Sequence, residues 1–174
     1  MENECEFAFS SMPSDIAESL EDRADKIWRK AFQIALPLRA ANDDELVSTT
    51  PRWPIDRVAE ALGIRLEEDE MPALLLGIYF RAQNLIIVNN ALRPIVRTTV
   101  VSHECGHGAL AAGAPHGEVW YLALALLIPR CLTERIPDER PITCEALLQV
   151  CPWDVPLWVA RVRAQLLRRL EAVA

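Results

Sequence analysis

The segment VVSHECGHGALAAGAPHGEVW, residues 100–120, contains His103, His107 and His116, all the histidines of a 174-residue chain. Two of them frame H-E-x-x-H. On a helix this spacing sets both imidazoles on one face, one turn apart, so that a single ion can take both. The glutamate between them, Glu104, is turned off that line and can act on a metal-held water without competing for the metal. The motif carries this meaning only on a helix, and its surroundings predict one. Pro94 opens a helical stretch over residues 95–112, and the apolar pair Val100-Val101 would seat it on a sheet. Gly113 and Pro115 then break the chain, and a further helix follows over residues 116–128, ended by Pro129.

A catalytic zinc takes three protein ligands and keeps a fourth position open. His103 and His107 supply two, and the candidates for the third are His116 and Glu118 in the first turn of the next helix. The bland alternative for His116 is a helix cap. Cys105, two residues along from His103, points away from the imidazole face and reads as core packing.

Working outward, residues 13–36 carry Ile16, Leu20, Ala24, Ile27, Ala31 and Ile34 at helical spacing, with Ser14 as cap and Pro37 as stop. AANDDELVSTTPRWP is expected to be an exposed loop. Residues 54–62 form a second helix closed by Gly63. Strands are expected over 64–68, 74–80 and 85–88, the last two joined by the hairpin loop RAQN. The strand 85–88 is expected to be the edge beside the cleft, where an extended substrate adds as a further strand. Beyond Pro129, helices are expected over 142–150 and 155–172. The latter has Asp154 as N-cap and Arg161, Arg163, Arg168 and Arg169 on its outer face.

Length and a 51% hydrophobic content indicate a chain able to bury a real core. Residues 1–70 carry 17 acidic and 8 basic side chains, residues 71–174 carry 8 and 10. The acidic front half argues against general nucleic-acid binding. Five cysteines without a C-x-x-C pair read as free thiols in a reducing compartment. The acidic MENECEFAFSS does not look like a signal peptide, and the longest apolar run, VWYLALALLI, is too short to span a bilayer. A cytoplasmic protein with no membrane partner is the expectation.

Residues 51–129 resemble the ImmA/IrrE metallopeptidases, soluble zinc proteases that cut helix-turn-helix repressors. PRWPIDRVAEALGI resembles their proline-led helix ending in A-x-x-L-G-I. LIIVNN resembles their strand ending I-x-[IV]-N, VRTTVVSHECGHGAL their R-F-T-[IL]-A-H-E-L-G-H, and HGEVWYLALALLIP their E-x-x-A-N-x-F-A-x-x-L-L-M-P. Counted back from Pro129, the family's ligand glutamate falls on His116, with Glu118 two places later, and its Ala-Asn pair is replaced by Val119-Trp120. ITCEALLQVCPWDVPLWVARVRAQL resembles the family's helix-turn-helix-like appendage.

The resemblance implies an α+β, zincin-like domain over residues 1–130, with a small, mostly antiparallel sheet packed on the HECGH helix. A C-terminal helical unit, 131–174, packs on it. It further implies a zinc metallopeptidase for regulatory proteolysis, whose protein substrate is a helix-turn-helix repressor. Zinc on His103, His107 and His116 would acidify a water, with Glu104 as catalytic base. Tyr79 or Tyr121 would serve as a second oxyanion donor only if brought to the site; both otherwise read as core aromatics. The rivals are a non-catalytic regulatory protein on the same scaffold and a zinc hydrolase of small amides. A paired C-terminal helix unit can read DNA, but four arginines on a solvated face argue for packing instead.

Overall fold

The computed structural model describes residues 12–39, 54–137, 141–151 and 153–172. The first of these segments buries Ala17, Leu20, Ala24, Trp28 and Ala31 at helical spacing and forms α1 (Ser14–Arg39). This helix runs on through Pro37 instead of stopping there; so close to the helix end, the lost hydrogen bond and ring clash of a proline disturb only the last turn. The expected loop over 40–53 lies outside the described residues.

Helix α2 (Pro54–Ala61) closes with the Gly63 N–H on Glu60 O and the Ile64 N–H on Ala59 O, both 2.9 Å. That double bond pattern requires a left-handed residue after the helix, and Gly63 supplies it at φ +72°.

Three strands follow: β1 (Arg65–Asp69), β2 (Gly77–Phe80) and β3 (Leu85–Asn89). Their order is β1-β3-β2. β1 runs parallel to β3, with Arg65 opposite Leu85, and β2 runs antiparallel to it, with Tyr79 opposite Ile86. The sheet is therefore mixed, not mostly antiparallel, and β3 is its centre, not its edge. The apolar strand LIIVN takes the position paired on both sides, while the acidic RLEED takes an edge, where charge deters further pairing. β2 also starts three residues later than expected. The Asn89 side-chain amide donates to Met71 O and Leu75 O, each at 3.2 Å, and holds the preceding chain as a loop. The RAQN connection is a short 3-10 turn, Arg81–Gln83, closed by Asn84 in the left-handed region at φ 48°.

The remaining helices are α3 (Pro94–Ala109), α4 (His116–Leu127), α5 (Cys144–Val150) and α6 (Leu157–Glu171), with a 3-10 segment, Arg130–Arg135, between α4 and α5. Thr143 caps α5 by accepting from the Ala146 N–H at 3.1 Å. Asp154 does not cap α6. The helix begins after Pro156 (φ −59°, ψ 142°), and Val155, the residue before that proline, is steered away from the helical region.

α4 is apolar nearly all round, with Val119 and Tyr121 to Leu127 buried, and it forms the axis of one hydrophobic core that includes α1, α2, the sheet, α5 and α6. Arg163 is a correction: it is fully buried rather than solvated. It pairs with the equally buried Glu21 through both carboxylate oxygens. No helix among the described residues is long and apolar enough to cross a membrane.

Candidate metal centre

His103 and His107 leave α3 from the same face, and their ring centroids stand 4.8 Å apart. His116 is the first residue of α4. It reaches them because α3 and α4 pack unusually closely. A Cβ added to Gly106 would lie 2.7 Å from Val119 O, so the bare glycine is what allows the two backbones to touch. The buried Ser102 hydroxyl donates to Ala123 O at 2.7 Å and fixes the same pair one turn away. Between the helices, Gly113 takes the left-handed turn at φ +82°.

The geometry fits a metal ion. One nitrogen from each imidazole lies within 4.8 Å of the other two, and His103 Nε2 faces His116 Nε2 at 3.1 Å. Burial pushes His103 down to about 3, helped by the neighbouring His107 and His116. His107 is lowered too, by burial, His116 and Arg81 in that order. Neutral imidazoles are the form that ligates a metal. The buried Nδ1 of His103 has no hydrogen-bond partner among the described residues. Trp120, 4.2 Å away centroid to centroid, packs against the ring.

Glu104 sits beside the cluster. Burial raises its carboxyl to about 7, against the opposing effect of the Tyr79 backbone N–H. Its neighbour in the sheet is the edge strand β2. Asn89 N–H donates to Leu76 O at 3.0 Å, and the two-residue alternation of an antiparallel ladder then turns the backbone groups of Gly77 and Tyr79 toward the open edge. The strand beside the site is therefore β2, not the 85–88 strand expected from the sequence.

Glu118 is not part of the imidazole cluster. Cys105 is fully buried, and burial drives its thiol far above the usual range. Neither tyrosine presents its hydroxyl to the cluster: Tyr79 donates to Asn84 Oδ1 at 2.6 Å, and Tyr121 to the buried Glu21 Oε1 at 2.8 Å. Two contributors escaped the sequence reading. Arg81 donates to His107 O at 2.5 Å and Leu110 O at 3.1 Å. It thereby satisfies the last carbonyls of α3, which ends at Ala109, three residues short of expectation. A basic residue in the hairpin turn before a metal-motif helix was the available signal. The other is Trp158 of α6, whose ring stands 6.1 Å from that of Trp120.

Comparison of the chain with protein-family models, with curated proteins and with solved structures returned no match.

Proposed function

We propose that the protein is a zinc-dependent metallopeptidase in which His103, His107 and His116 hold the metal and Glu104 is the catalytic base. The observation that carries this reading is the convergence of three imidazoles from two helices next to a carboxyl raised to about 7. A nitrogen-only ligand set of three histidines suits zinc among the common divalent ions. A small sheet against the HECGH helix, with a third ligand from the following helix, agrees with a zincin-like arrangement and with the resemblance to the ImmA/IrrE metallopeptidases.

When bound, zinc would supply Lewis acidity to the attacking water and to the substrate carbonyl. Glu104, beside the ligand cluster, takes the proton of the attacking water and returns it to the leaving amine nitrogen. The open edge of β2 aligns an extended chain by backbone pairing at Gly77, leaving the Tyr79 N–H to Glu104. The family resemblance points to a helix-turn-helix repressor as substrate, cut in a segment able to lie extended along that edge.

The test is the Glu104→Gln variant, incubated beside the zinc-loaded wild type with purified helix-turn-helix repressors encoded nearby. The variant should keep its zinc content and melting temperature and lose cleavage by about 10²- to 10⁴-fold, the usual worth of a general base. Cleavage that survives the substitution removes Glu104 from its role. Tight binding by the wild type without any cut would instead favour the non-catalytic binding platform.

A further inference from the structure

A cavity of about 200 Å³ opens beside the imidazole cluster, with His103 and Glu104 in its lining. Its other walls are apolar: Val96 and Val100 from α3, Trp120 from α4, and Pro156 and Trp158 from the start of α6. The hydroxyl of Thr99, also on the wall, is already committed to Ile95 O at 3.1 Å. The volume lies below the ~300–1,000 Å³ of pockets that enclose a whole drug-sized ligand, and it matches a single large side chain better. Gly77 of the edge strand borders it as well. A Cβ there would stand 2.6 Å from Val100 Cγ1 and 3.8 Å from Glu104 Cγ. The strand's backbone thus comes directly to the mouth of the cavity, next to the carboxyl.

We infer that this cavity is a specificity subsite that receives one large apolar side chain, of the leucine, methionine or phenylalanine class, from a peptide lying along β2. That it sits next to the bond being cut rests on the peptidase reading; the recognition of the side chain does not. A chain added to β2 points successive side chains to opposite faces, so the residue held opposite Gly77 and Glu104 turns one side chain toward α3 and into this space. Two tryptophans and two valines in its lining provide apolar contact area. A carboxylate placed there would lose its hydration among apolar walls. The start of the C-terminal helix is then part of the substrate site, because Pro156 and Trp158 line the same cavity.

Two measurements on the full-length, zinc-loaded chain separate this inference from the peptidase reading. The first follows the indole N–H resonances of Trp120 and Trp158, assigned through Trp→Phe variants, in the Glu104→Gln protein. The titrants are acetyl-Ala-Ala-X-Ala-amide peptides. With X as Leu or Phe both resonances should shift saturably, at least about 10-fold more tightly than with X as Gly or Glu, as expected for burial of one such side chain. Trp28 and Trp153, bonded to Leu126 O and Leu127 O, should stay still. Equal response to Leu and Glu, or none to Leu and Phe, overturns the subsite whether or not the protein is an enzyme.

The second measurement sequences the products of a mixed peptide library cut by the wild-type protein. One position flanking the cut should be enriched about 10-fold in Leu, Met or Phe. The Trp158→Ala and Val96→Asp variants should lose that enrichment, the latter acting from a rim position 37% exposed that leaves the core intact. Cuts without apolar enrichment, or enrichment that both variants retain, sink the subsite and leave the peptidase standing. Absence of cutting sinks the peptidase and leaves the indole titration to decide the subsite.

Discussion

His116 and Glu118 stand two residues apart in the first turn of α4, and only the histidine joins the cluster. Residues two apart on a helix point in widely different directions, so one substitution cannot stand in for the other. His116→Ala should lower zinc affinity by more than the ~10- to 100-fold typical of removing a mere supporting contact. Glu118→Ala should leave it within a few-fold of wild type, as read by competition with a chromophoric chelator. Equal retention by both variants would remove His116 from the metal. The histidine spacing was legible because i and i+4 share a face whatever the rest of the fold does. The surroundings of Glu104 were not, since they include Gly77 of β2, brought there by sheet pairing. Arg163 failed for a similar reason. An arginine among helix charges reads as solvated unless its partner is known, and Glu21 lies 142 positions earlier.

At the scale of elements, the close crossing of α3 and α4 joins two ligands to the third. Gly106→Ala tests it. In an exposed helix that change gains up to ~1 kcal/mol through propensity, but here the new methyl would stand 2.7 Å from a backbone oxygen, Val119 O, which cannot rotate away. Overpacking of this kind costs about 1–3 kcal/mol, so the net effect should be a lower melting temperature. Zinc affinity should fall further than stability alone predicts, because the separation carries His116 away while His103 and His107 stay on α3. A variant that binds zinc as tightly as wild type would show that the helix crossing does not set the site. The helices around this crossing were legible from proline and glycine punctuation and from apolar spacing. The sheet was legible as three short strands but not in its pairing, because neither the acidic RLEED nor the apolar GIYF carries a signal for the partner or direction of its pairing. Only the demand for an apolar centre places LIIVN between them.

Across the whole molecule, one buried polar node holds the C-terminal helix against the rest, and it sits at the end of α4. Carbonyls at the end of a helix lack intrahelical donors, and three successive ones here are met by side chains from different segments. Trp28 of α1 donates to Leu126 O at 3.0 Å, Trp153 to Leu127 O at 2.9 Å, and Arg163 of α6 to Ile128 O at 2.8 Å. The two indoles stack at 5.3 Å. Arg163 then turns its remaining nitrogens to Glu21 of α1, which also accepts from Tyr121 of α4. Three helices are thereby tied at one point, and through α6 that point also places Trp158 beside the candidate site. Removing one partner of such a pair leaves a bare charge in the core, at a cost of about 3–5 kcal/mol. Arg163→Met should therefore destabilise strongly in urea unfolding. The Glu21→Leu/Arg163→Met double variant should recover most of the loss, short of about 1–3 kcal/mol for the Ile128 carbonyl, which loses its Arg163 donor. The same pair sets a pH dependence. Burial alone would raise the Glu21 carboxyl, but the charge and hydrogen bonds of Arg163 and the Tyr121 hydroxyl bring it below its ordinary value. A carboxyl depressed in the folded state binds protons more weakly there than in the unfolded chain. Its contribution is complete above the unfolded value of ~4.3 and fades as the pH falls through the lower folded-state value. Asp25, raised by burial and by Glu21, acts with the opposite sign, favouring the fold at pH below its unfolded value and losing that contribution as pH rises through the folded one. The urea midpoint of the wild type should thus drop on acidification below about pH 4, and the double variant should show a flatter acid limb. Parallel acid limbs in the two proteins would mean that the Glu21–Arg163 pair is not what ties the helices together.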